Sequence, residues 1–204
     1  FQETDIVSIA KPITKFAYQL KNENEIRYIL EKAYYISQNG RPGPVLIDIP
    51  MDLQRKIIDH KKLIGFKPSK KKIKKEILQK KITEVINHLK KSERPVVILG
   101  GGIRISKTVK DLSFFLKKIN IPIVTTWSGV DAISHDRNNY IGNIGVYGSR
   151  SANFTIQNSD FVLSLGSRLD TRITGGVPKN FAREATIASV DIDKNELNKN
   201  RGLK

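Results

Sequence analysis

Apolar positions along this chain switch between two periods. Ile26, Ile29, Leu30, Ala33 and Ile36 recur at helical spacing, which places them on one face of a helix. Asn22, with Glu25 three residues on, offers an N-cap and its partner, and Gly40 offers the stop. After the turn Gly40-Arg41-Pro42-Gly43-Pro44 comes Val45-Leu46-Ile47-Asp48-Ile49, closed by Pro50. A nearly unbroken, β-branched run is the pattern of a parallel strand covered on both faces. One helix and about two strands are too little for a stable domain. Residues 1–54 therefore read as the end of an α/β domain whose beginning is missing.

The pattern lapses over residues 55–75, a Lys-rich linker around Pro68-Ser69, and then resumes. Ile77, Leu78, Ile82, Val85, Ile86 and Leu89 predict an amphipathic helix with these residues on one face. Val96–Leu99 reads as a strand running into Gly100-Gly101-Gly102. A helix is predicted from about Lys107 to Lys118, then a strand over Ile121–Thr125. A second helix spans about Ser149 to Asn158 and leads into a strand at Phe161–Leu165. A last strand, Thr186–Val190, ends at Asp191. Alternating strands and helices predict a doubly wound parallel sheet for residues 76–204, so the fold class is α/β with a Rossmann-like second domain.

Composition removes several function classes. Hydrophobic residues make up 39% and charged residues 27%, ordinary for a soluble domain. No run approaches the roughly 18 apolar residues of a membrane span. The opening FQETDIVSIAKP lacks the basic start of a signal peptide, and Phe1 in place of Met suggests trimming. Cys is absent, which removes disulfides and thiolate chemistry and fits a reducing, cytoplasmic setting. His60, His88 and His135 are scattered, without the spacing of a zinc site.

The net charge of +16 is concentrated. Residues 55–94 hold fifteen Lys and Arg against four Asp and Glu, a net of +11. A nucleic-acid surface would pair such charge with interleaved aromatics or a known motif. Only Phe66 interrupts this run, so it reads as a solvated linker and helix start.

In open parallel sheets, ligands sit beyond the carboxyl ends of the strands. Gly100–Gly102, Trp127–Asp131, Gly166–Arg172 and Asp191–Asp193 fall there. Glycines after a strand let backbone N–H groups approach a phosphate, or simply make a turn. In Gly166-Ser167-Arg168-Leu169-Asp170-Thr171-Arg172, two arginines flank an acid. They suit a phosphate or carboxylate ligand, or an internal Arg–Asp pair. Tyr140–Ser149 places small residues before a helix start, for an anion or for close packing. Asp191 and Asp193 suit a ribose hydroxyl or a helix cap.

Taken together, these segments resemble one family. Phe1-Gln2-Glu3-x-Asp5, Pro12-x-Thr14-Lys15 and Gly40-Arg41-Pro42-Gly43-Pro44-Val45-Leu46-Ile47-Asp48-Ile49-Pro50 resemble the end of the pyrimidine-binding domain of acetolactate synthases, which depend on thiamine diphosphate. Ile141-Gly142-x-x-Gly145-x-x-Gly148, Gln157-Asn158-Ser159-Asp160, Gly166-Ser167-Arg168-Leu169-Asp170-x-Arg172-x-Thr174-Gly175 and Asp191-Ile192-Asp193 resemble their central domain. The likeness covers all but the Lys-rich linker, in the family's order.

The resemblance implies a 2-keto acid decarboxylase or carboligase using thiamine diphosphate and Mg²⁺, built as a homodimer or homotetramer, with FAD a possible third cofactor. It implies Phe1 and Gln2 near the thiamine. Arg41, Gly100, Gly101, Gly102, Arg168, Asp191 and Asp193 would lie near FAD. Arg172 would meet the carboxylate of the second keto acid. Met51 stands where the synthases usually carry a Lys near the substrate, which leaves carboligases and decarboxylases with another acceptor open. The family's activating glutamate and its metal-binding motif match no part of these residues, so the piece is expected to be inactive alone. Two other readings stand beside this one: a stand-alone nucleotide- or flavin-binding module, and a basic nucleic-acid binder.

Overall fold

The computed structural model describes residues 4–69 and 75–199. The chain divides into two compact units, Phe1–Lys72 and Ile73–Lys204. Phe1 and Gln2 lie outside the described residues.

The first unit runs α1 (Ile6–Ala10), β1 (Phe16–Gln19), α2 (Ile26–Gln38), β2 (Val45–Asp48) and α3 (Met51–Gln54). β1 and β2 pair in parallel, Phe16 opposite Val45 and Gln19 opposite Asp48. The expected capping box forms, with Asn22 and Glu25 each bonded to the other's backbone. It lies one turn before α2, on a 3₁₀ turn over Glu23–Glu25. Gly40 follows α2 with φ +69°, a left-handed conformation that only glycine adopts cheaply.

The helix end is also held from outside. The Lys15 ammonium donates to the carbonyls of Ile36 (2.5 Å), Asn39 (2.6 Å) and Arg41 (2.8 Å). The last carbonyls of a helix lack internal partners and attract cations. A Cβ on Gly43 would stand 3.0 Å from Lys15 Cδ, a tight contact with the same side chain. Lys15 and Gly43, taken from two separate motifs, thus make one joint. Part of the stretch expected to be a linker docks on α2 as well. The Phe66 N–H donates to Glu31 at 2.7 Å, and the Phe66 ring meets Tyr28 and Tyr35, each at 5.5 Å.

The second unit opens with α4 (Lys75–Lys91), followed by β3 (Pro95–Leu99), α5 (Gly102–Ile105), α6 (Val109–Leu116) and β4 (Ile123–Thr125). It continues through β5 (Tyr140–Asn143), α7 (Arg150–Gln157), β6 (Phe161–Leu165), α8 (Thr171–Thr174), β7 (Thr186–Val190) and α9 (Lys194–Lys199). The five strands stand in the order β5-β4-β3-β6-β7 and are parallel throughout.

Alternation along the strands supplies two cores. Val96 and Ile98 of β3, with Val162 of β6, enter one buried cluster with Ala152 and Ile156 of α7. Val97 and Leu99, with Phe161 and Leu163, enter the other with Leu112 and Leu116 of α6. Because both faces are covered, these strands read as continuous apolar runs.

The helix expected over Lys107–Lys118 forms as α6, and a short helix, α5, precedes it, ending before Lys107 takes φ +60°. β5 was not among the expected strands. It is a four-residue edge strand with a register shift opposite Ile123/Val124 and Gly142 at φ +129°, so no apolar run marks it. Helix α4 forms, but of its expected apolar face only Val85 and Leu89 pack on the core. Ile77, Leu78, Ile82 and Ile86 are exposed. Seventeen residues extend about 25 Å at 1.5 Å each, longer than a five-residue strand at about 17 Å.

Candidate functional site

The order β5-β4-β3-β6-β7 reverses direction at the centre: from β3 the chain moves first to β4 on one side, then to β6 on the other. Connections leaving adjacent strand ends in opposite directions open a crevice at their carboxyl ends. Here those ends carry Gly100–Gly102 after β3 and Gly166–Arg168 after β6, with Asp191 beside them after β7.

The floor of the crevice is backbone packed on backbone. Gly100 N–H donates to Leu165 O, Gly102 N–H to Gly166 O, and Gly166 N–H to Val190 O, each at 2.9 Å. A Cβ on Gly100 would stand 2.3 Å from Gly166 O, and one on Gly102 would stand 2.8 Å from Gly166 Cα. At Gly101 it would meet Ser128 at 3.0 Å. Of the two readings of the glycine run, close packing is therefore required here whatever binds above it.

The rim is made of side chains. Arg168 is on the surface, and its Nε donates to Glu196 of α9 at 3.0 Å. The internal Arg–Asp pair is not formed. The Asp170 carboxylate accepts from the Arg172 N–H at 3.1 Å and caps α8. The Arg172 side chain is exposed and has no acid within ion-pair distance among the described residues. Its carbonyl is engaged by the Val146 N–H at 2.9 Å, and a Cβ on Gly145 (φ +95°) would stand 2.5 Å from that carbonyl oxygen. Gly145 is further held by Asn153, which accepts from its N–H at 2.9 Å and donates to its carbonyl at 3.1 Å. The Gly-x-x-Gly loop is thus packed against the arginine turn, with no anion needed to explain it.

Asp191 accepts from the Asp193 N–H at 2.8 Å, and Asp193 from the Asn195 N–H at 2.9 Å. These bonds order the turn into α9, as the capping reading required. Arg41 and Met51 belong to the first unit, Arg41 in the turn after α2 and Met51 exposed at the start of α3.

Two features of the rim were not anticipated. Trp127 and Tyr147, 66% and 70% exposed, meet edge to face at 5.2 Å. Glu196, nearly buried, receives both Arg168 and Lys199. The available signal was the Asp193-x-x-Glu196 spacing, which a helix start explains equally well. A shallow, open hollow runs along α4, lined by Lys75, Glu76, Lys80, Glu84 and Lys91. It shares no residue with the crevice.

No three His, Asp or Glu among the described residues are grouped to hold a metal, and no helix among them is long and apolar enough to cross a membrane. Residues 82–204 match the family described as "Thiamine pyrophosphate enzyme, central domain". The chain belongs to this family.

Its similarity to thiamine pyrophosphate enzymes extends through both units. The acetolactate synthase large subunit of Lactococcus lactis subsp. lactis is 37% identical over 203 residues, covering 98% of this chain and 34% of that protein. The probable acetolactate synthase large subunit of Methanococcus aeolicus is 36% identical over 208 residues, with the same coverage of each. Chloroplastic acetolactate synthase 1 of Nicotiana tabacum is 34% identical over 206 residues, 98% of this chain and 30% of that protein. The chain spans about a third of the length of these relatives. The α/β expectation, with a parallel Rossmann-like sheet in the second unit, agrees with the family and with the five strands observed.

Proposed function

We propose that the protein carrying this chain decarboxylates a 2-keto acid and joins the remaining fragment to a second carbonyl compound, as an acetolactate synthase-like enzyme. The observation that carries this reading is the exposed Arg172, held by its backbone beside the strand-end crevice of a thiamine pyrophosphate enzyme domain. A guanidinium on a held backbone offers a two-pronged site for the carboxylate of a keto-acid acceptor. Thiamine diphosphate, when bound, supplies the electron sink for loss of CO₂. The residues assigned toward it are Phe1 and Gln2, outside the described region, and Met51, whose thioether carries no charge.

FAD fits the crevice as a bound group. Arg168 follows the Gly166 turn on the surface, and beyond Glu196 it has no partner among the described residues. In this role Gly100–Gly102 shape the floor. Arg168 pairs with the diphosphate, and Asp191 and Asp193 order the turn beside it; Arg41 is assigned to FAD by the family resemblance alone. Mg²⁺, a homodimeric or homotetrameric assembly and a cytoplasmic location complete the proposal. Residues 1–54 are then the end of the pyrimidine-binding domain, residues 55–75 a linker and residues 76–204 the central domain.

The test uses full-length protein with pyruvate, thiamine diphosphate and Mg²⁺, following CO₂ and the joined product separately. Arg172→Gln should lower product formation about 10- to 100-fold, the value of one charge-assisted pair at about 1.5–3 kcal/mol, while CO₂ release persists. Absence of CO₂ release from the wild type would end the proposal. Residues 1–204 by themselves should release no CO₂ under the same conditions.

A further inference from the structure

Glu196 is the only charged side chain among the buried described residues, with its side chain 10% exposed. A carboxylate removed from water costs several kcal/mol unless cations and donors compensate it. Here one carboxylate takes Arg168 through Nε and Lys199 through its ammonium.

We propose that Glu196 is a positioning residue: it grips Arg168 by Nε and thereby aims the two terminal nitrogens at the diphosphate of a bound dinucleotide. The inference rests on the reading of the β3–β6 crevice as a dinucleotide site. A guanidinium is planar, so fixing one nitrogen against a buried partner fixes the plane of the other two. Those terminal nitrogens have no partner among the described residues.

The backbone end of Arg168 is pinned independently. Leu169, the next residue, is buried in the core at 3% exposure with φ +46°. A non-glycine residue reaches that region only when its surroundings hold it there. Arg168 is therefore constrained at both ends, and it stands three residues past β6, at the point where the strand order reverses direction. Such pre-organisation matters for binding because the long side chain's freedom is surrendered before the ligand arrives.

A salt bridge that serves stability alone would look similar, so the test separates the two roles. Full-length wild type and Glu196→Gln are titrated with FAD and with riboflavin, which lacks the diphosphate, and flavin fluorescence is read. The variant should bind FAD about tenfold more weakly or worse, the scale of one charge-assisted hydrogen bond, with riboflavin binding unchanged. Equal FAD affinity in wild type and variant overturns the inference and leaves the dinucleotide site standing. Equal losses for FAD and riboflavin show a structural role and also overturn it. A wild type that binds no FAD removes the site itself.

Should the variant fail to fold, ¹⁵N spectra of the wild type decide. The Arg168 Nε–H should exchange slowly before any ligand is added, and the terminal N–H signals should shift with FAD. A freely exchanging Nε–H, or terminal signals indifferent to FAD, overturns the proposal.

Discussion

The two ends of the five-stranded sheet use their polar residues in opposite ways. At the amino end the side chains are turned inward onto backbone. The Asp160 carboxylate, just before β6, accepts from the Glu93 and Arg94 N–H groups at 2.8 and 2.9 Å and from the Ser92 hydroxyl. Arg94 returns a bond to Asn158 O at 2.8 Å. Arg137 and Asn139 cap the carbonyls of Leu116 and Ile121 in the same manner. At the carboxyl end the rim side chains Trp127, Tyr147 and Arg172 are exposed, and Arg168 is held at a single nitrogen. A fold needs both edges closed, but ligands need one edge with side chains to spare. The glycine floor of the carboxyl end and the Asp170, Asp191 and Asp193 caps belong to the scaffold.

The sharpest challenge to this contrast is Gly100→Ala. Its methyl would lie 2.3 Å from Gly166 O, backbone that cannot move without disturbing β6. A loss of about 3 kcal/mol in stability is expected, the upper range of overpacking, read as a lower denaturant midpoint. An unchanged midpoint would mean that the floor is looser than its geometry.

Asp160→Ala should cost about 1–2 kcal/mol, since it strips several backbone and hydroxyl donors of one ionised acceptor at a partly exposed site. Burial pushes the Asp160 carboxyl up, but the Ser92 hydroxyl and the Glu93 and Arg94 amides outweigh it and hold the group below the ordinary aspartate value of 3.8. Because the folded group titrates below the unfolded one, its contribution is complete above that value. It fades as pH falls through the lowered one. Acid titration of stability should therefore be flatter in Asp160→Asn than in the wild type, and parallel curves would contradict the assignment.

Smaller effects should follow at the rim. Trp127→Ala removes one aromatic edge-to-face contact between exposed rings, about 0.5–1 kcal/mol. Arg172→Ala should leave the unfolding midpoint within about 0.5 kcal/mol of wild type while affecting product formation. A rim substitution that destabilised as much as Asp160→Ala would erase the difference between the two edges.

The residues themselves disclosed a good deal. Val96–Leu99 and Phe161–Leu165 announced strands, because burial on both faces forces a nearly unbroken apolar run, interrupted only by Ser164. Gly100 and Gly166 announced strand ends, because backbone approaching backbone leaves no room for a Cβ. The order of short motifs pointed to the family before any geometry was known. These are local demands, written within a few consecutive residues.

What escaped the linear reading depends on contacts that cross the chain. β5 is an edge strand whose short, glycine-interrupted run becomes a strand only through its pairing with β4. The apolar stripe of α4 is continuous in the sequence, yet packing selects only Val85 and Leu89 because the helix outruns the sheet. Glu196 lies 28 residues from Arg168 and looks like an ordinary first-turn acid until β7 and α9 bring it back across the strand ends. Spacing along a chain can encode period and sterics, but which charge meets which is settled only when the chain returns on itself.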